Sequence, residues 1–165
     1  MDLTISLTGA EQMEQEFEAY LEKLDAAVAD VMENEVFIAG RDSVMVSLAE
    51  YAYKMYTPQG KDPYVRRYDE GGLADPRNIV RAEGGGPTEE PLGYEIAIED
   101  IAPDEDGLPV AEIVESGVGY HWKGSKIYQK QPFPRPIYGP AGELMLEKGW
   151  FEEALLRGLR SRGIE

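Results

Sequence analysis

The sequence predicts an α+β fold, in which one or two long N-terminal helices and a short C-terminal helix pack on a small antiparallel sheet, with a long extended arm. Three observations predict it. Apolar residues recur at helical spacing through the first third of the chain, the periodicity vanishes from Pro58 to Gly93, and residues alternate as in a half-buried strand from Tyr94 to Ile101. A chain of 165 residues is long enough for one domain with a real core, so we treat residues 1–165 as a single domain.

Residues 1–57 are predicted to be helical. Thr8 and Glu11 have the spacing of a capping box, which marks a helix start. Gly40 is expected to bend or interrupt the helix and Pro58 to stop it, so one long kinked helix and a helical hairpin both fit. The apolar positions that set the period in the first half are Met13, Phe17, Tyr20, Leu21, Leu24, Val28 and Val31.

Residues 58–93 are predicted to form an extended arm. Gly, Pro and charged residues dominate this stretch, and an unpatterned loop of that length is uncommon inside a compact domain. We therefore expect the arm to become ordered against a neighbouring subunit. Residues 94–120 follow as a β-hairpin, whose strands are Tyr94 to Ile101 and Leu108 to Gly117.

Residues 121–142 are predicted to be a basic and Pro-rich loop, and residues 143–163 a C-terminal helix. An apolar stripe that includes Phe151 indicates this helix, although Gly149 and Gly158 weaken it.

The charge of the chain is strongly acidic and unevenly distributed. Its net charge is −16, from 32 acidic and 16 basic residues. Lys23 and Arg41 are the basic residues between Met1 and Glu50, whereas the stretch from Lys123 to Arg135 is basic. Such a balance opposes direct binding to nucleic acid, because affinity for DNA comes mostly from Lys and Arg contacts to phosphate. Solubility through self-repulsion explains the acidic surplus equally well.

The sequence contains no recognisable catalytic constellation. It has no cysteine, and His121 is its single histidine. The acidic run from Asp104 to Asp106 lacks the register of a calcium-binding loop, and the glycines from Gly84 to Gly86 lack the Lys-Ser/Thr of a phosphate-binding loop. We therefore expect no enzymatic activity, no metal and no cofactor. The chain also lacks an apolar run of the roughly 20 residues that a membrane span needs, so we expect a cytoplasmic protein without membrane contact.

Two basic clusters are interleaved with aromatic residues, a combination that protein interfaces concentrate. Stacking on single-stranded nucleic acid is the alternative, but the Glu-rich helix of an adjacent copy is the nearer partner. The candidate interface residues are Tyr64, Arg66, Arg67, Tyr68, Trp122, Lys123, Lys126, Tyr128, Arg135 and Pro136.

Two stretches of the chain resemble the tail-completion or neck proteins of long-tailed double-stranded-DNA bacteriophages. The stretch from Tyr56 to Ile79 resembles the family's "Y.RR…GL.D" landmark. The family also has a strand of the form "(V/I)E.G…Y", which Val114, Glu115, Gly117 and Tyr120 match. It then has a "(P/R)P(F/I)" segment before a closing helix, which Arg135, Pro136 and Ile137 match.

The resemblance implies a structural virion protein at the head-tail junction. Its subunits are expected to form a homo-oligomeric, sixfold ring around the DNA channel, between connector or adaptor proteins on one side and the tail tube or tail terminator on the other. The protein would then reside in the virion, and in the host cytoplasm during assembly. An acidic lumen lets DNA slide, because phosphates are repelled. The candidate lining residues are Glu11, Glu14, Glu18, Glu22 and Asp25.

Two alternatives come from other classes. The first is an acidic DNA mimic that inhibits DNA-handling enzymes; it would be a monomer or dimer and would not need the Pro-rich arm. The second is a carboxylate-based hydrolase, which would require a pocket with perturbed carboxyl pKa values.

Overall fold

The computed structural model describes residues 9–55, 67–104, 107–118 and 134–164. A single helix, called the long helix below, dominates it and runs without a break from Ala10 to Tyr53. The sequence was compatible with either one long kinked helix or a helical hairpin. The structure has one continuous helix and no hairpin in this region. Its successive parts are α1 (Ala10–Val31), a π-helical segment (Met32–Val36), α2 (Phe37–Ser47) and a second π-helical segment (Leu48–Tyr53).

The start of the long helix differs in detail from the predicted capping box. Thr8 lies outside the described residues, and the residue at the N-cap is Gly9, whose φ of 104° few other residues adopt. Gly40 also has a different role from the predicted bend. It lies within α2, where a Cβ atom would come 2.5 Å from Ile98 Cδ1, so this glycine allows a close approach of the sheet to the helix.

The sheet is an interrupted antiparallel hairpin of four short strands. Strand β1 (Ile79–Arg81) pairs with β4 (Ile98–Asp100), and β2 (Gly86–Pro87) pairs with β3 (Tyr94–Glu95). A hydrogen bond from Ala82 N to Ala97 O, 2.9 Å long, connects the two pairs. The strand predicted from Tyr94 to Ile101 therefore exists, split into β3 and β4.

The partner predicted for that strand is wrong. Residues 108–117 do not form a strand; they contain a helix, α3 (Val110–Ser116). The β-branched residues favoured a strand, but Pro109 precedes the helix and Gly117 closes it with a φ of 69°, which is the usual placement of proline and glycine at helix ends. Ala111, Ile113 and Val114 are buried, a spacing that one face of a helix satisfies.

The partner strand comes instead from the predicted arm. Residues 67–93 carry β1 and β2 and fold onto their own chain, where Leu73, Ala74 and Ile79 are buried. This corrects the prediction of an extended arm for that part. The beginning of the arm, residues 58–66, lies outside the described residues.

The C-terminal region contains two helices where one was predicted. Helix α4 (Tyr138–Glu147) begins inside the predicted Pro-rich loop, and helix α5 (Trp150–Ser161) follows. Gly149 separates them with a φ of 68°, a left-handed conformation that glycine adopts without the steric cost of a Cβ atom.

Two apolar clusters form the core, and the long helix contributes to both. One surrounds Leu48, Ile79 and Ile137, and the other joins Val31 and Val36 to α5. At the end of α5, Arg162 binds the long helix, with Nε donating to Asp30 Oδ2 at 2.6 Å and Nη1 to Glu35 Oε1 at 3.0 Å. Helices therefore cover a small antiparallel sheet, and the predicted α+β class is confirmed.

Candidate interaction surface

The N-terminal part of α1, from Ala10 to Ala26, projects from the body of the protein. Every residue from Ala10 to Ala26 is exposed except Leu24, which is half-buried, and Ala27 is the first buried residue of the helix. The sequence predicts an apolar stripe here, and the structure leaves its first part uncovered by any described residue. The exposed fractions are 66% for Met13, 62% for Phe17, 45% for Tyr20 and 40% for Leu21.

The acidic residues of α1 form a second stripe beside the apolar one. At 100° of rotation per residue, the two stripes are separated by roughly a third of a turn. Like charges three and four residues apart repel one another, so this helix derives no stability from its own acidic face. The five predicted lining residues belong to this stripe, and all are exposed: Glu11, Glu14, Glu18, Glu22 and Asp25.

The described members of the predicted interface lie at the opposite end of the long helix. Tyr68 packs edge-on against Tyr53, with ring centroids 4.6 Å apart, and the exposed Arg67 donates from Nη2 to Pro103 O at 2.6 Å. Arg135 donates from Nη1 to Ala52 O at 3.4 Å. A cation at this position satisfies carbonyl groups and the negative dipole at a helix C-terminus. The structure thus places Tyr68 and Arg135, which are far apart in sequence, at neighbouring residues near the end of the long helix.

These interface candidates differ in their exposure. Arg67, Tyr68 and Pro136 are exposed, whereas Arg135 is only 9% exposed and is committed to contacts within its own chain. Their role in subunit contact stays a prediction. The other six candidates lie outside the described residues: Tyr64, Arg66, Trp122, Lys123, Lys126 and Tyr128.

An apolar groove of about 570 Å³ runs between the long helix, the hairpin and helices α4 and α5. Met32, Ile96, Met145 and Phe151 are among its lining residues, and Glu95 is the one charged side chain among the described residues that line it. Such a lining is suited mainly to apolar contact.

A smaller pocket of about 360 Å³ contains the most perturbed carboxyl group of the described chain. Glu99, Asp100, Glu112 and Tyr138 line it. Burial raises the pKa of the Asp100 carboxyl to about 7; a hydrogen bond from Ala102 N–H opposes this rise, and the charge of Asp75 adds to it.

A raised carboxyl pKa beside a pocket is the feature that the hydrolase alternative requires. Asp100 is, however, only 4% exposed, and its Oδ1 accepts the Ala102 N–H at 2.9 Å. Its Oδ2 is buried without a hydrogen-bond partner among the residues that the structure describes. The side chain is thus packed into the end of the hairpin with little access to a substrate. The sequence offered no signal for it, because its burial depends on the pairing of β4 with β1.

Metal ligands and membrane-spanning helices are the remaining kinds of site. Within residues 9–55, 67–104, 107–118 and 134–164, no group of three or more acidic or histidine side chains is arranged to hold a metal ion. Among the helices described, none is both long and apolar enough to cross a membrane.

Comparison with known proteins gives one relationship. No curated protein and no solved structure matches the chain. The family model YomN matches residues 14–161, which is nearly the whole chain and includes α1 from Glu14 onward, the hairpin and both C-terminal helices. YomN is a phage-derived family. The chain therefore belongs to the YomN family, and its relationship is to proteins of bacteriophages.

Proposed function

We propose that the chain is a structural virion protein of a tailed phage, a subunit of the neck or tail-completion ring that joins the capsid connector to the tail. The phage-derived family and the resemblance of its two motifs to tail-completion proteins support this proposal. In the proposed ring, connector or adaptor proteins bind one side and the tail tube or tail terminator binds the other.

One observation carries the proposal: the apolar stripe on the projecting part of α1. Met13 and Phe17 are more than half exposed, although their helical spacing is that of residues that usually pack in a core. Large apolar side chains clustered at an exposed site mark contact with another protein. A subunit that functions only in an assembly has such a surface, because the cover comes from its neighbour.

The acidic stripe supports the position beside the genome. Glu14, Glu18 and Glu22 lie one helical turn apart and all are exposed. Carboxylates at this spacing repel phosphate groups, so DNA that passes them is not retained. The proposal requires no enzymatic step, in keeping with the packing of Asp100 into the hairpin.

Deleting the gene from the phage or prophage that carries it tests the proposal. Electron microscopy of the lysate should reveal DNA-filled heads and separate tails, and a plasmid copy of the gene should restore joined particles. Joined, infectious particles at the wild-type yield after deletion would overturn the neck function.

The DNA-mimic alternative is supported by the exposed acidic helix alone. A mimic acts as a monomer or dimer and binds DNA-handling enzymes. Size-exclusion chromatography with light scattering, together with inhibition assays on host nucleases and polymerases, distinguishes the two. A monomer that inhibits such an enzyme favours the mimic, whereas a ring without inhibition favours the neck protein.

A further inference from the structure

We propose that the exposed N-terminal part of α1, residues 10–26, is the docking site for residues 119–133 of a second copy of the chain, in a head-to-tail contact. The inference deepens the proposed function and rests on it in one respect, that copies of the chain assemble. It names the partner of the exposed helix and the relative orientation of neighbouring subunits.

The chemistry of α1 selects the occupant. An apolar stripe formed by Met13, Phe17 and Tyr20 lies beside a row of carboxylates. A complementary partner presents aromatic or aliphatic side chains to the stripe and cations to the row. Charge complementarity of this kind steers association and suppresses wrong pairings.

Residues 119–133 have that composition. The segment contains no aspartate or glutamate, in a chain whose net charge is −16. It contains Lys123, Lys126 and Lys130 together with Tyr120, Trp122, Tyr128 and Phe133.

Both ends of this segment are attached near the C-terminal end of the long helix. Arg135, just after the segment, donates its backbone N–H to Val114 O at 2.9 Å, and Val114 lies just before it. The Arg135 guanidinium contacts Ala52 O, near the last turn of the long helix. The base of the segment is therefore at the opposite end of the molecule from α1.

The distances exclude a contact within one chain between this segment and the acidic residues near the start of α1. Ile137 O accepts the Ser47 hydroxyl at 2.6 Å, so the chain just after the segment lies beside Ser47. At about 1.5 Å per residue, Glu18 lies roughly 44 Å and Glu14 roughly 50 Å from Ser47 along the helix. Fifteen residues that leave and return to the same place, at about 3.4 Å each, extend no farther than about 27 Å. The basic segment therefore reaches Glu14 and Glu18 only on another copy.

Such a contact joins two different surfaces, α1 of one subunit and residues 119–133 of the next. Each subunit can therefore contact one neighbour through α1 and a second neighbour through the segment. Heterologous contacts of this type close into a ring when the rotation between subunits permits, and otherwise continue as a filament. The proposed ring requires this arrangement.

The test uses the full chain and two charge reversals, each with its folding checked by circular dichroism. Glu14→Lys with Glu18→Lys alters the helix, and Lys123→Glu with Lys126→Glu alters the segment. We expect either pair to weaken self-association roughly tenfold or more in sedimentation velocity, and all four changes together to restore it. The wild-type association should also weaken as salt rises from about 50 to 500 mM.

The matched control is Glu143→Lys with Glu147→Lys. These exposed residues have the same four-residue spacing on α4 and undergo the same change of charge, so association should be unaffected. If the charge reversals on the helix or the segment weaken association no more than this control does, the inference is overturned. Gene deletion would still test the neck function independently. A wild-type protein that stays monomeric at about 100 μM and low salt would also overturn it.

Discussion

Asp100 is a buried acid whose charge the fold disfavours. It lies at the end of β4, 4% exposed, and burial raises the pKa of its carboxyl to about 7. An unfolded aspartate titrates near 3.9. Between these values the folded chain retains a proton that the unfolded chain releases. This contribution to stability is therefore complete below about pH 4 and is lost as the pH rises to 7.

Asp100→Asn should remove that loss, because the amide is neutral and its oxygen still accepts the Ala102 N–H. We expect the variant to be about 2 kcal/mol more stable than wild type at pH 8 and to have little advantage near pH 4. Urea unfolding at both pH values measures this difference. Glu99→Gln, at the exposed neighbouring position, is the control. A variant that is equally destabilised at both pH values would contradict the assigned pKa.

Asp75 has the opposite dependence on pH. The side chain of Arg77, followed by its backbone N–H, holds the pKa of the Asp75 carboxyl well below its usual range. Asp75 also accepts the Gly71 N–H at 2.7 Å, so it organises the turn before β1. The contribution of Asp75 to the free energy of unfolding is therefore present above about pH 4 and is lost as the pH falls through the lowered pKa.

Asp75→Asn should therefore destabilise the protein at pH 7 and make less difference in acid. Thermal unfolding of variant and wild type from pH 7 down to pH 3 gives the comparison. Asp69→Asn, an exposed position in the same turn region, should have almost no effect. A difference between Asp75→Asn and wild type that is constant over this pH range would exclude the assigned role.

At the scale of the elements, glycines decide how closely helices pack. Gly158 in α5 lies against Val31 of α1, where an added Cβ would be 2.5 Å from Val31 Cγ1. Val31 is completely buried and β-branched, so it cannot move aside. Gly142, within α4, has open space beside it, because a Cβ atom added there would meet no neighbouring side chain within 4 Å.

The same substitution should thus have opposite effects at the two glycines. Gly158→Ala should lower the free energy of unfolding by about 1–3 kcal/mol through overpacking. Gly142→Ala should raise it by roughly 0.5–1 kcal/mol, because alanine favours the helix more than glycine does. Chemical denaturation of the two variants provides the measurement, and a stabilising Gly158→Ala would contradict the packing of α5 on α1.

At the scale of the whole molecule, the two ends of the long helix have different charged neighbours, although Glu33, Asp42 and Glu50 extend the acidic residues along the helix itself. The acidic row occupies its N-terminal half, and Arg67 and Arg135 lie near its C-terminal end. The helix dipole favours this polarity only within the first and last turns. The row of carboxylates extends to Asp25, well beyond the first turn, so the helix dipole does not explain it. Solubility through self-repulsion and the proposed head-to-tail contact both fit this distribution.

We expect no measurable affinity of the purified protein for duplex DNA at physiological salt. Non-specific binding needs several Lys or Arg contacts to phosphate, and even true binders have dissociation constants of roughly 10⁻⁴ to 10⁻⁶ M. Fluorescence polarisation with a labelled duplex at low and at physiological salt is the measurement. Duplex binding that persists at high salt would contradict a repulsive channel and would make the basic residues DNA contacts.

Local patterns in the sequence were sufficient to predict the features that depend on neighbouring residues. Helical periodicity predicted the first helix, alternation predicted the strand that begins at Tyr94, and the acidic surplus opposed DNA binding. These signals are local, because the period of a helix or strand is written in consecutive residues. The stretch from Leu108 to Gly117 was wrongly predicted to be a strand. Pro109 and Gly117, which mark the ends of its helix, were the local signal that the prediction missed.

The remaining features depend on contacts between residues that are distant in sequence. Pairing of β1 with β4 brings the predicted arm back onto the long helix and buries Asp100, and neither strand contains a local signal for the other. The core-like stripe of Met13 and Phe17 is left exposed because no described element covers that part of α1. Periodicity establishes that a helix has an apolar face, but the partner of that face is determined by the packing of the whole chain and of its neighbours.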